Sequence, residues 1–150
     1  MSKDFFDDYA EKLEEMIREK AKEDYNDYIV DLFYHPKNWG KPPDNEISIS
    51  QSYKGPCNDT MNLFLKIKDE IIEKANFITD GCGATIATAS QVTLLIEGKS
   101  LKFAENLTAE EIDNSLGRLP EDHKHCAKLA AMTLKKAIKK YRRKLSQIEK

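Results

Sequence analysis

Residues 61–90 read MNLFLKIKDEIIEKANFITDGCGATIATAS, and this stretch decides the fold. Met61, Leu63, Leu65 and Ile67 alternate with Asn62, Phe64, Lys66 and Lys68, the period-two pattern of a strand. Asp69-Glu70 is a connector short enough only for a tight turn, and Ile71 to Thr79 reads as the next strand. Gly81-Cys82-Gly83 then breaks the pattern. Residues Ala84 to Glu97 read as a helix packed closely through small side chains and stopped by Gly98.

Working outward, Glu46 to Tyr53 alternates polar and apolar residues as another strand, and Gly55-Pro56-Cys57-Asn58-Asp59 is the turn that follows it. Three strands with tight links predict an antiparallel meander. Upstream, Asp4 to about Phe33 repeats apolar residues at three- and four-residue steps, so one long helix is expected. Asp4, Asp7 and Asp8 crowd its first turns, where negative charge complements the helix dipole. His35 to Pro43 is punctuation that ends it.

Downstream, Thr108-Ala109-Glu110-Glu111 has the form of a capping box, opening a short helix through about Leu116. Pro120 is placed near the first position of a last helix, whose stripe is Leu129, Met132, Thr133, Ala137, Ile138 and Tyr141. The expected class is α+β: a small three-stranded antiparallel sheet covered by helices, with a long N-terminal helix and a long C-terminal helix.

A chain of 150 residues is most simply one domain with a real core. Its formal net charge of -2 gives no reason to expect nucleic acid. No apolar run approaches the roughly 20 residues of a membrane span, and residues 1–15 lack the apolar region of a signal peptide. A cytoplasmic location, away from membranes, is therefore expected. Three cysteines is an odd number, and thiols rather than disulfides are expected in a reducing compartment.

All three cysteines fall at junctions of elements. Cys57 is in the first hairpin turn, with Asp59 two residues on. Cys82 lies between glycines at a helix start, where free N–H groups and the positive dipole end favour thiolate. Cys126 has His125 beside it, and Lys124 and Lys128 nearby to favour thiolate as well. A free cysteine is most simply a small buried hydrophobe, but none of these sits within an apolar stripe. Three thiolates, a carboxylate and an imidazole suffice for a tetrahedral zinc or cluster-iron site. The separations, 25 residues and then 44, match no compact Cys-x-x-Cys finger and favour an exposed, exchangeable site.

These residues resemble the NifU/IscU-type iron–sulfur cluster assembly scaffolds. The likeness starts near Tyr25 and runs to about Tyr141. Tyr25 with Val30-Asp31 and His35-Pro36-Lys37-Asn38-Trp39-Gly40 is similar to the family's opening motif. Cys57-Asn58-Asp59-Thr60-Met61 resembles its Cys-Gly-Asp-x-Met, and Gly81 to Ser90 its Gly-Cys-Gly-x-Ala-Ile-Ala-Ser-Ser-Ser. Glu97-Gly98-Lys99-Ser100, and then Leu119-Pro120 with His125-Cys126 and Leu129-Ala130, resemble the motifs that follow.

The resemblance divides the chain into an N-terminal helical extension, residues 1–24, and a scaffold-like domain, residues 25–150. It implies that Cys57, Asp59, Cys82, His125 and Cys126 line one site that holds a [2Fe-2S] cluster, or zinc or iron when no cluster is present. It implies a cysteine desulfurase as sulfur source, Cys126 as persulfide acceptor, separate iron and electron donors, and acceptor apoproteins. Such a scaffold turns over no substrate of its own and is not an enzyme. Asp59 is a hard ligand among soft thiolates and is expected to promote release.

The chain departs from the family where bacterial members carry Leu-Pro-Pro-Val-Lys, the segment gripped by a dedicated Hsp70 chaperone. Leu119-Pro120-Glu121-Asp122-His123 stands there instead, which argues against that partnership. His125 and the uninterrupted spacing place the chain with the NifU/IscU branch rather than the SufU-type relatives.

Other residues take simpler readings. His123 is expected as a solvated or capping side chain, because residues two apart on a helix do not face each other. His35 is expected to serve a turn, and Trp39 to pack on the sheet or anchor a partner. The basic run from Lys135 to Lys144 is expected as the wet face of the last helix; the acidic N-terminal helix could pair with it within one chain or across a homodimer. Two other functions fit some of the residues: a small zinc-stabilised interaction module, and a Cys/His hydrolase with Cys126 as nucleophile. The hydrolase leaves Cys57 and Cys82 without a role, and adjacent helical side chains diverge by about 100°, which misaligns His125 for proton transfer.

Overall fold

The computed structural model describes residues 3–56 and 58–149. Its centre is an antiparallel sheet of β1 (Ile49–Lys54), β2 (Thr60–Lys68) and β3 (Ile71–Thr79), in spatial order β1-β2-β3. The meander and the α+β class are as expected. Asp69 and Glu70 form the two-residue β2–β3 turn with φ of 53° and 65°. Both central residues at positive φ is the type I′ geometry that matches strand twist. A register shift at Lys66/Ile67 lets Ile67 oppose Ile72 while Leu65 opposes Ala75, so both pairs stay on the buried face.

That face carries Met61, Leu63, Leu65, Ile72 and Phe77, all 2 % exposed or less. It is covered by α3 (Gly83–Ile96) and α6 (His125–Glu149), while α2 (Asp27–Tyr34) packs against α3; the three helices contribute Ile29, Leu32, Val92, Ile96, Leu134 and Ile138 to one continuous core. Each such side chain contributes about 1.5–3 kcal/mol by leaving water. The small residues Ala84, Ala87 and Ala89 keep α3 close to its neighbours. The two remaining short helices, α4 (Leu101–Glu105) and α5 (Ala109–Ser115), pack their buried residues Leu101, Ala104 and Ile112 into the same core. The expected capping box is present on α5, with Thr108 and Glu111 satisfying each other's backbone N–H.

Several boundaries differ from the sequence reading. The single helix expected from Asp4 to Phe33 is two, α1 (Lys3–Asp24) and α2. Asn26 makes the break. Its side chain accepts from Ile29 N at 2.8 Å, which caps α2, and donates to Leu116 O at 2.8 Å. Gly117 accommodates this contact, because it has φ of 82° and a Cβ there would lie 2.7 Å from Asn26 Nδ2. The first strand starts at Ile49 rather than Glu46, because Asp44–Glu46 is a 3-10 turn. Pro120 precedes a 3-10 turn, Glu121–His123, and α6 begins only at His125.

Tyr9, Leu13, Met16 and Ile17 of α1 are exposed, so the stripe that predicted this helix is not buried. Lys135 to Lys144 does supply the wet face of α6, although Met132, expected in the apolar stripe, is also exposed. Among the described residues the ion pairs of Arg142 go to Glu70 and Glu105, not to α1. His35 is the C-cap of α2, its N–H donating to Asp31 O at 2.8 Å. Trp39 bridges β3 beside Phe77 and meets that ring edge-on at 5.2 Å. Among the described residues no helix is long and apolar enough to cross a membrane.

Candidate metal centre

The register of β2 and β3 builds the site. Met61 pairs with Thr79, which sets the turn before β2 beside the turn after β3. Two hydrogen bonds fasten these ends. Thr60 N donates to Asp80 Oδ1 at 2.7 Å, and Thr79 Oγ1 donates to Thr60 O at 2.6 Å. Asp59 and Cys82, 23 positions apart in the chain, thereby meet at one end of the sheet.

Cys82 is the exposed N-cap of α3. Cys126 lies in the first turn of α6 and is fully buried. The sulfurs of Cys126 and Cys82 lie within 4.8 Å of each other. The neighbouring Cys126 thiol is the first cause holding the Cys82 thiol far below its ordinary range, and the N–H groups of Thr85 and Ala84 and the Thr85 hydroxyl add to it. Cys126 is pushed up, by the neighbouring Cys82 and by burial. Cys82 is therefore the more acidic thiol of the pair.

This corrects the expectation that Cys126 is an accessible thiolate activated by lysines. Cys126 faces inward on α6. Lys124 is engaged with Asp113 at 2.8 Å, and Lys128 is exposed.

Thr85 joins the elements of the site. It is fully buried on α3. Its Oγ1 donates to Asp59 Oδ2 at 3.1 Å, and lies 3.4 Å from Cys126 Sγ and 3.7 Å from Cys82 Sγ. The other buried hydroxyls of α3 are used elsewhere: Thr88 and Thr93 donate to Ala84 O and Ser90 O, and Ser90 accepts from Lys37 N. Gly81 permits the approach of Thr85, since a Cβ at Gly81 would lie 2.6 Å from Thr85 Cβ.

Of the five residues expected at the site, Cys82 and Cys126 have their sulfurs within 4.8 Å of each other. Asp59 is tied to them through Thr85. His125 Nε2 lies 3.6 Å from Cys126 Sγ. Cys57 lies outside the described residues. Among the described residues, three ligand atoms within 4.8 Å of one another come from Cys82, His123 and Cys126. His123, read from the sequence as solvated or capping, is therefore beside the sulfurs, and His125 is outside this group.

The helical-spacing objection to His123 fails because residues 121–123 form a 3-10 turn, separate from α6. The ring of Tyr25 packs 5.5 Å from His123 and 4.9 Å from Phe33. Burial, with the negative charge of Cys82 next, pushes the Tyr25 hydroxyl up to about 12. Neither Thr85 nor Tyr25 was singled out for the site from sequence. The one available signal was Thr85 standing where the resembled motif has Ala.

Two sulfurs and an imidazole with a carboxylate alongside are a donor set for zinc or for iron–sulfur iron.

Comparison with known proteins identifies the family. The chain is 38% identical over 126 residues to the iron-sulfur cluster assembly scaffold protein IscU 1 of Archaeoglobus fulgidus, covering 84% of this chain and 82% of that protein. It is 37% identical over 128 residues to the scaffold protein IscU of Aquifex aeolicus, covering 84% and 81%. It is 37% identical over 123 residues to that of Escherichia coli, covering 80% and 95%. The crystal structure of a nitrogen-fixing NifU-like protein (N-terminal) from Brucella abortus shares the fold, with a TM-score of 0.63 at 15% identity over 83% of this chain and 98% of that one. The model of the NifU-like N terminal domain matches residues 24–147, and the chain belongs to that family.

Proposed function

We propose that this protein is a scaffold on which an iron–sulfur cluster of the [2Fe-2S] type is assembled and from which it is passed on. It is a scaffold and not an enzyme; the cluster is its cargo. The observation that carries the reading is the meeting of Cys82, Cys126 and an imidazole at one end of the sheet, with Asp59 tied in through Thr85. Cys57, in the turn preceding Asp59, is proposed as the third thiolate. His125 and Asp59 complete the ligand set proposed from the sequence, and zinc or iron is expected on the same residues when no cluster is held.

Sulfur is proposed to come from a cysteine desulfurase, and iron and electrons from separate donors. Cys126 is the proposed sulfur acceptor. Because Cys126 is buried, the site must open before sulfur can reach it. Once exposed to solvent, Cys126 loses the burial that keeps its thiol protonated, and its proton passes to the solvent. The Cys126 thiolate attacks the outer sulfur of the desulfurase persulfide, that S–S bond breaks, and the desulfurase cysteine leaves as thiolate. Release to acceptor apoproteins is favoured by Asp59, a hard oxygen ligand among soft sulfurs. Glu121, Asp122 and His123 stand in the segment that relatives of this family present to a dedicated Hsp70 chaperone, so that partner is not proposed here.

The test is anaerobic reconstitution with iron, cysteine and a desulfurase, followed by visible spectroscopy. A cluster chromophore that depends on the desulfurase is expected, and its absence would overturn the reading. A chelator separates the scaffold from a zinc-stabilised module. The core runs through sheet and helices and takes in only Cys126 of the proposed ligands, so the scaffold is expected to keep its fold on losing metal, whereas a zinc-dependent domain unfolds.

A further inference from the structure

We infer that His123 is a direct ligand of the metal bound at Cys82 and Cys126, in the place that family resemblance gives to His125. A ring nitrogen of His123 lies within 4.8 Å of both sulfurs, and these three ligand atoms form one group. His125 touches Cys126 at 3.6 Å but is not part of that group.

The environment of His123 supports the assignment independently. Its Nδ1 is buried with no hydrogen-bond partner among the described residues. Buried polar atoms normally have partners, and an orphan calls for an unseen one, such as an ion. Its Nε2 lies 3.9 Å from the exposed carboxylate of Asp122, beyond hydrogen-bond length. The ring is held between Tyr25 at 5.5 Å and His125 at 6.0 Å, so it is already oriented. Two thiolates and one imidazole are ligands for zinc or ferrous iron, and Asp59 can supply the fourth donor.

The resembled family motif has Lys at position 123. A protonated lysine has no lone pair to give a metal, so the histidine adds a donor that this position otherwise lacks. The inference deepens the scaffold reading, on which it depends for the metal's biological role.

The experiment uses the full chain labelled with 15N at histidine and loaded with zinc alone. Two-bond proton–nitrogen spectra report which imidazole nitrogens bind metal. A metal-bound signature on His123, alone or with His125, is expected. A signature on His125 only, on neither histidine, or no zinc binding at all would overturn the inference. Zinc affinity of His123→Ala and His123→Lys, measured by chelator competition with folding checked by circular dichroism, is expected to fall by at least about 10-fold. Unchanged affinity in both folded variants counts against it, and the wild-type spectra decide the matter if the variants do not fold. Desulfurase reconstitution is scored separately. A chain that builds a cluster but leaves His123 free sinks only the ligand assignment, and one that binds zinc through His123 but builds no cluster sinks only the scaffold.

Discussion

Thr85 Oγ1 donates to Asp59 Oδ2 at 3.1 Å, from a helix residue with no solvent exposure to a carboxylate on a turn. One hydroxyl thus connects the first hairpin to α3, and through its contacts with Cys82 and Cys126 it connects both to α6.

Replacing Thr85 tests that connection. Thr85→Val keeps the volume and loses the hydroxyl, so Asp59 loses its orienting donor. A cost of about 1 kcal/mol in urea denaturation is expected, together with about a 10-fold loss of zinc affinity. Thr85→Ser keeps the donor and is expected to stay near wild type. Equal behaviour of Val and wild type in both measurements would show the contact to be incidental.

Asp59→Ala removes the hard oxygen ligand. The reconstituted cluster is expected to persist several-fold longer against a chelator, followed through the decay of its visible absorption. A lifetime equal to or shorter than wild type would remove the release role from Asp59.

The unequal acidities of Cys82 and Cys126 predict how the two thiols react. Cys82, lowered to about 4, is thiolate on both sides of neutrality. An unshifted thiol near 8.5 would alkylate about 100-fold more slowly at about pH 6 than at about pH 8. In the metal-free chain, iodoacetamide is expected to modify Cys82 at nearly equal rates at both pH values, and Cys126 slowly at either. Peptide mass mapping checks this. With a desulfurase present, Cys126→Ser is expected to abolish persulfide transfer; undiminished labelling would move the acceptor to Cys82 or Cys57.

Gly81→Ala brings a Cβ to 2.6 Å from Thr85 Cβ and 2.7 Å from its Oγ1 and Cγ2. Thr85 cannot yield without giving up its site contacts. A loss of about 1–3 kcal/mol is expected from overpacking. Pairing it with Thr85→Ala removes two of the three clashing atoms and should restore only part of the loss, because the Thr85 Cβ remains. Full wild-type stability of the single variant in denaturation would refute the packing account.

The β2–β3 hairpin was legible because alternation and a two-residue turn are local signals. The break at Asn26 was not, because the apolar spacing of Tyr25, Tyr28, Ile29 and Leu32 reads through it. What ends α1 is a cap completed by Leu116 O, 90 positions away. The position of His123 near the sulfurs was hidden for a related reason. Its sequence distance from His125 was read on a helix, but its backbone belongs to a separate 3-10 turn.

The sequence by itself determined the elements of the sheet and the types of ligand available, since periodicity, turn residues and thiol chemistry are properties of short stretches. Tertiary structure alone decided which imidazole groups with both sulfurs and which thiol is the more acidic. Both outcomes depend on where the turn at 121–123, the start of α6 and the N-terminus of α3 come to rest against one another. Burying Cys126 while leaving Cys82 exposed at a helix start makes two chemically identical thiols unequal.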